Sequence, residues 1–192
     1  MKADLGGDAD GFSYDSCAED ELIEKAISGD NSAFECLMAR YLKVIYNYIL
    51  LSVSSSEDVK DILQETMLAA WQNLKTYNSC STLKTWLFSI TRYKINDYYR
   101  KTYRYNTDDL DDYYDELSAE DNTLDVAKQI DIKNALSNLS NIEKELVYMI
   151  FNAQLSYKEI SGITGLPTGT IKSKMSNIRS KLKKNLGDAY ND

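Results

Sequence analysis

The chain has 192 residues, a formal net charge of −8 and a single proline. Its 43% hydrophobic and 27% charged content is that of a soluble globular chain of one or two small domains, and no apolar run approaches the roughly 20 residues of a membrane span. The absence of histidine removes Ser-His-Asp and Cys-His chemistry and nearly all zinc sites. Cys17, Cys36 and Cys80 have neither metal-ligand nor disulfide-framework spacing. With no glycine-rich phosphate cradle and no carboxylate motif, no enzymatic activity, metal or cofactor is expected. The acidic start, Met1 to Glu21, has no signal core, which predicts a cytoplasmic protein.

Residues 1–18 read as a disordered acidic extension. A first helix is predicted over Ala18 to Ser28, ending at Gly29, a common stop residue. Asp30, Asn31 and Ser32 offer caps for a second helix, whose Phe34, Leu37, Tyr41, Ile45, Tyr48 and Leu51 recur at helical spacing. Ser54 to Ser56 can cap a third, with Glu57 and Asp58 at its positive end and a buried stripe of Val59, Ile62, Leu63, Thr66, Ala70 and Leu74. On its opposite face Asp61, Gln64 and Glu65 surround Leu68, an arrangement suited to a protein contact. A polar loop, Tyr77 to Ser81, precedes a fourth helix from about Thr82 to Tyr103.

That fourth helix is basic: Lys84, Arg92, Lys94, Arg100, Lys101 and Arg104 meet only Asp97. Leu83, Trp86, Leu87, Ile90 and Tyr98 form its apolar face; Thr85, Phe88, Arg92, Asn96, Tyr99 and Tyr103 form the other. Interleaved rings and cations suit melted DNA, where bases stack and phosphates pair. The alternative is that Phe88, Tyr99 and Tyr103 are core. From Tyr105 to Asp125 the chain is acidic and aperiodic, and reads as an extended linker.

Four more helices are expected beyond it. The first spans Leu124 to Asn138. The second opens on the capping box Ser140-x-x-Glu143, with Ile142, Leu146, Val147, Ile150 and Phe151 inside. A second box, Ser156-x-x-Glu159, opens a short helix that stops at Gly165; the last helix runs from Thr168 to about Leu186. Short helix, glycine turn and longer basic helix outline a helix-turn-helix. Ile171, Met175, Ile178 and Leu182 face inward; Lys172, Ser173, Ser176, Asn177, Arg179 and Ser180 face outward. Small polar and basic groups let such a helix enter the major groove, and Thr168 and Thr170 at its start can meet phosphates. An exposed amphipathic helix on a bundle is the alternative.

Asp61-Ile62-Leu63-Gln64-Glu65, Trp71, Leu83-Lys84-Thr85-Trp86-Leu87 and Asp97-Tyr98 resemble region 2 of the bacterial sigma-70 family, in its small extracytoplasmic-function form. Leu155 to Ile160, then Gly165 to Lys174, resemble region 4. The resemblance implies an all-α protein of two small helical domains: region 2 over 19–104, an acidic flexible linker over 105–123, region 4 over 124–187 and a tail, 188–192. It implies an alternative sigma factor that binds core RNA polymerase, through its clamp coiled coil and flap, and directs initiation at promoter DNA. An anti-sigma factor is a further implied partner. Asp61, Gln64, Glu65 and Leu68 would bind the clamp. The −10 element would be read by Lys75, Asn78 and Ser81 of the loop and by Thr85, Phe88, Ser89, Arg92, Tyr93, Asn96 and Arg100 of the helix. The −35 element would be read by Thr168, Thr170, Lys172, Ser173, Ser176, Asn177 and Arg179. Ser89 and Tyr93 stand where the family has Arg and Asn, and Lys174, Ile178 and Arg179 replace its Arg-x-x-x-Ala-Arg run, so base preference does not carry over. A stand-alone helix-turn-helix regulator is the competing function.

Overall fold

A computed structural model describes residues 14, 17–105 and 139–187 of the chain. The expected helix over Leu124 to Asn138, the linker beyond Tyr105, the tail and residues 1–13 lie outside the described residues. Seven α-helices are described: α1 Glu19–Ile27, α2 Asn31–Leu50, α3 Ser56–Asn73, α4 Leu83–Tyr105, α5 Asn141–Phe151, α6 Tyr157–Thr164 and α7 Thr168–Gly187. A 3-10 turn, Leu74–Thr76, extends α3, and no strand occurs among the described residues.

Local chemistry sets the boundaries. Gly29 takes φ 104 and ends α1, and Asp30 then caps α2 by accepting from the Ala33 amide at 3.0 Å. Such caps contribute about 1 kcal/mol each. Ser55 caps α3 by accepting from Asp58 N at 3.3 Å. Both predicted capping boxes are present, Ser140 with Glu143 and Ser156 with Glu159.

Packing follows the apolar periodicities. Leu22 of α1, Leu37, Ile45 and Ile49 of α2, Val59 of α3 and Leu83 and Leu87 of α4 are fully buried. Burial of each such side chain contributes about 1.5–3 kcal/mol. In the last three helices Leu146, Met149, Ile160, Ile171, Met175 and Ile178 are buried. Lys181 Nζ reaches Glu143 at 2.8 Å and joins α7 to the start of α5. Burial alone would raise the Glu143 carboxyl, but Lys181 and Ser140 hold it below its usual value.

Two expectations need correction. The sequence predicts a disordered extension over 1–18, yet at its end the described residues Tyr14 and Cys17 are tied down. Tyr14 donates to Asp30 at 2.7 Å, and Arg40 donates to the Cys17 carbonyl at 2.8 Å. Phe151, expected inside α5, is 63% exposed. The chain leaves α5 there and reverses at Gln154 (φ 55), so Ala153 and Leu155 enter the core and Phe151 does not.

Candidate nucleic-acid and polymerase interfaces

The last two helices have the helix-turn-helix outline expected from sequence. α6 ends on Gly165 in the left-handed region (φ 75), the turn continues through Leu166 and Pro167, and α7 starts at Thr168. Ile160 and Ile163 are buried on α6, as are Ile171, Met175 and Ile178 on α7. This packing fixes how α7 is turned: Thr168, Lys172, Ser173, Ser176, Asn177 and Arg179 are all exposed, and Thr170 is half-buried. Arg179 also accepts order from α6, since its guanidinium donates to the Tyr157 hydroxyl at 3.2 Å. Ser173 donates to the Thr170 carbonyl at 2.9 Å, which holds its side chain close to the helix.

A second face lies on α3. Asp61, Gln64 and Glu65 are exposed beside Leu68, which is 52% exposed. Glu65 is not free of partners: Lys94 of α4 lies 3.2 Å from it and Lys101 at 3.9 Å. Trp71 packs edge-on to Phe34, with ring centroids 4.8 Å apart.

The loop between α3 and α4 is a shaped turn. Tyr77 donates to the Ser81 carbonyl at 2.7 Å and packs on Trp86, while Ser79 adopts φ 56. Lys75, Asn78 and Ser81 project to solvent, and Asn78 accepts from the Cys80 amide.

The polar-aromatic face of α4 divides along its length. Tyr93, Asn96 and Arg100 are exposed, with the Arg100 guanidinium 5.7 Å from the Tyr93 ring centre. The earlier half is covered. Thr85 donates to Glu159 of α6 at 2.7 Å, and Arg92 Nε lies 3.0 Å from Glu145 of α5. Ser89 is half-buried and bonds back to the Thr85 carbonyl. Phe88, expected among the strand-facing residues, is fully buried, with its ring 4.9 Å from that of Tyr48. It is a core residue in this arrangement, as the alternative reading held, because α4 turns that position toward α2. Tyr99 is half-buried and donates to the Ser52 carbonyl.

The chain therefore pairs a helix-turn-helix with a basic helix that follows an acidic face. The family model of sigma-70 region 2 matches residues 37–105, and that of sigma-70 region 4 matches 129–182. The extracytoplasmic-function sigma factor EcfG of Rhodopseudomonas palustris is 31% identical over 133 residues, covering 69% of this chain and 74% of that protein. The chain belongs to the sigma-70 family, in its extracytoplasmic-function form. It is thus an alternative RNA polymerase sigma factor that acts in transcription initiation. SigM of Mycobacterium tuberculosis is 27% identical over 167 residues, 87% of this sigma factor and 84% of its own length. Among solved structures, RpoE of Bartonella quintana, in complex with the anti-sigma factor NepR, is 28% identical with a TM-score of 0.63, covering 80% of this chain and 96% of that one. CnrH, solved with the cytosolic domain of CnrY, shares the fold at a TM-score of 0.63 and 23% identity, over 91% of this sigma factor and 99% of that chain.

Sequence reasoning missed the residues that join the regions. Glu159 Oε2 accepts from Ser156 N at 2.8 Å, completing its cap, while Oε1 faces Thr82, just before α4, at 3.1 Å and Thr85 of α4 at 2.7 Å. Burial alone would raise this carboxyl, but bonds from Ser156, Thr85 and Thr82 bring it down to about 2. Glu145 Oε1 accepts from Tyr48 at 2.5 Å as well as from Arg92. Burial, then the Glu145 charge, pushes the Tyr48 hydroxyl well above its ordinary value. Tyr148 donates to the Val44 carbonyl at 2.8 Å, and Lys84 to the Ala153 carbonyl at 3.1 Å. The capping box fully accounted for Glu159 in the sequence, so nothing there signalled its second oxygen.

Proposed function

We propose that α7 reads the −35 element as duplex, that α4 and the loop before it read the −10 element as melted strand, and that the Asp61-Gln64-Glu65-Leu68 face binds the clamp of core polymerase. The observation that carries this reading is the outward face of α7. Lys172, Ser173, Ser176, Asn177 and Arg179 are all exposed while Ile171, Met175 and Ile178 are buried. Such a face presents cations to phosphates and guanine edges, and short polar groups to the groove floor. The domain limits are those of the sequence reading, region 2 over 19–104 and region 4 over 124–187.

The same reading makes the protein a dissociable cytoplasmic subunit that performs no catalysis of its own; bond formation belongs to the polymerase. Docking on core would present the two basic helices of an otherwise acidic chain at promoter spacing. The flap is the expected polymerase contact of region 4. An anti-sigma factor is a further expected partner; the Bartonella quintana relative was solved in complex with one, NepR.

The test is run-off transcription with core polymerase on a panel of promoters, comparing the wild type with Lys172→Ala and Arg179→Ala. Each exposed substitution should lower promoter-dependent product about 5- to 100-fold, as loss of one groove contact does. Loss of the −35 sequence should lower wild-type product and add little to the loss in the variants. Variants as active as wild type on every promoter would remove α7 from the −35 element.

A further inference from the structure

We infer that Tyr77 is a positioning residue of the loop before α4: its hydroxyl closes residues 77–81 into a preformed edge, so that Asn78 and Ser81 meet the melted strand already in place. The inference rests on the reading of this loop as part of the −10 reader. Tyr77 acts through the loop, since its own ring is half-buried against Trp86.

The loop has little else to hold it. Residues 78–81 make no backbone-to-backbone hydrogen bond among the described residues, whereas both flanks are anchored. On one side Tyr77 N donates to the carbonyl of buried Leu74 at 3.0 Å. On the other, Thr82 Oγ1 accepts from the Thr85 amide at 3.2 Å and so caps the start of α4. Between these anchors all four side chains are exposed, and Ser79 has φ 56, a left-handed conformation that is costly for a residue with a Cβ. Two side-chain bonds fix the span. Tyr77 donates to the Ser81 carbonyl at 2.7 Å across the loop, and Asn78 Oδ1 accepts from the Cys80 amide at 3.2 Å within it.

Of the two, only the Tyr77 bond spans the whole loop. Its ring packs on Trp86 with centroids 5.4 Å apart, so the hydroxyl comes from a side chain that α4 already holds. Burial raises this hydroxyl above its ordinary value, Ser79 opposes the rise, and the Glu19 and Asp20 charges of α1 add to it. The group therefore stays a protonated donor at neutral pH. The second bond fixes what the loop offers. A backbone N–H donates to oxygen, so Asn78 commits Oδ1 to Cys80 and keeps Nδ2 as a donor for an acceptor on an unpaired base. A loop that must be ordered on binding loses affinity by the entropy of ordering; one closed during folding does not.

The experiment uses holoenzyme, assembled from core polymerase and the full chain, with short fluorescent single strands spanning the −10 position of a promoter that the wild type transcribes. One strand is intact and each of the others carries a single abasic site. Asn78→Ala locates the base that the loop reads: its removal weakens wild type but not the variant. Tyr77→Phe, which keeps the ring on Trp86, should bind the intact strand about 3- to 10-fold more weakly than wild type, the effect of one lost hydrogen bond. On the strand abasic at the located position it should match wild type. Amide relaxation of the free chain gives a second readout, since order parameters over residues 78–81 should fall from about 0.85 toward about 0.6 in Tyr77→Phe. Its melting midpoint should stay within about 4 °C of wild type. Wild-type affinity of Tyr77→Phe for the intact strand, or an equally ordered loop, would overturn the positioning role. Equal losses on every strand would overturn it as well, by showing a general effect on docking. If Asn78→Ala and wild type respond alike at every abasic position, the loop does not read the strand, and the role of Tyr77 falls with that premise.

Discussion

Phe88 separates a core role from a strand-stacking role in a single substitution. Its side chain is fully buried and its ring centre lies 4.9 Å from that of Tyr48, itself 1% exposed. Replacing a buried Phe by Ala removes transfer energy and leaves a cavity, at about 3–5 kcal/mol. In a protein of this size each kcal/mol shifts the melting midpoint by roughly 2–4 °C, so Phe88→Ala should melt about 6–20 °C below wild type. Phe88→Leu, which keeps most of the volume, should lose about 1–2 kcal/mol. The assay is thermal unfolding of the free chain followed by circular dichroism. A Phe88→Ala protein that melts within about 1 °C of wild type would place the ring at the surface, since exposed substitutions change stability by roughly 0.5 kcal/mol or less, and would refute the packing described for α4.

Glu159 gives a pH-dependent outcome. Its carboxyl titrates at about 2 in the fold against an ordinary 4.5, so the fold favours the ionised form. The stabilisation is complete above the ordinary value and is lost as pH falls through 4.5 toward about 2. NMR titration of a Thr82→Ala/Thr85→Ala protein should find this carboxyl closer to its ordinary value; an unmoved titration would mean that α4 does not bind it. Leu68→Ala should leave the melting midpoint within about 2 °C of wild type, because the side chain is 52% exposed, while weakening core polymerase binding about tenfold as interface anchors do. Unchanged core affinity would remove Leu68 from the clamp face. At Gly165 (φ 75) an added Cβ meets nothing within 4 Å, so Gly165→Ala should lose only the backbone cost of about 1–2 kcal/mol. A larger loss, measured by urea unfolding, would mean that the turn is more crowded than described.

Local chemistry was legible in the sequence because its signals are local. Asp30, Ser55, Ser140 and Ser156 occupy the expected cap positions, and Gly165 supplies the expected left-handed turn. The two faces of α7 followed from helical spacing alone. The inter-region contacts were not legible, because a half-buried ion pair and an exposed one have the same residue types. Arg92 and Glu145 are 53 positions apart, and Thr85 and Glu159 are 74 apart. Phe88 illustrates the same limit: rings among cations suit a stacking platform and a bundle core equally, and only the packing of α4 on α2 decides. Tyr14 and Phe151 were misplaced at segment ends, where a single tertiary bond or a single reversal outweighs composition.

Under the proposed function this sigma factor reads promoters only in company with core polymerase. Promoter DNA affinity, measured by fluorescence anisotropy at one fixed salt concentration with and without core, tests it most directly. The account predicts specific binding and run-off product with core, and no discrimination between promoter and unrelated DNA by the free chain. Tight, promoter-specific binding by the free chain, undiminished by the absence of core, would contradict it and would describe a stand-alone helix-turn-helix regulator instead.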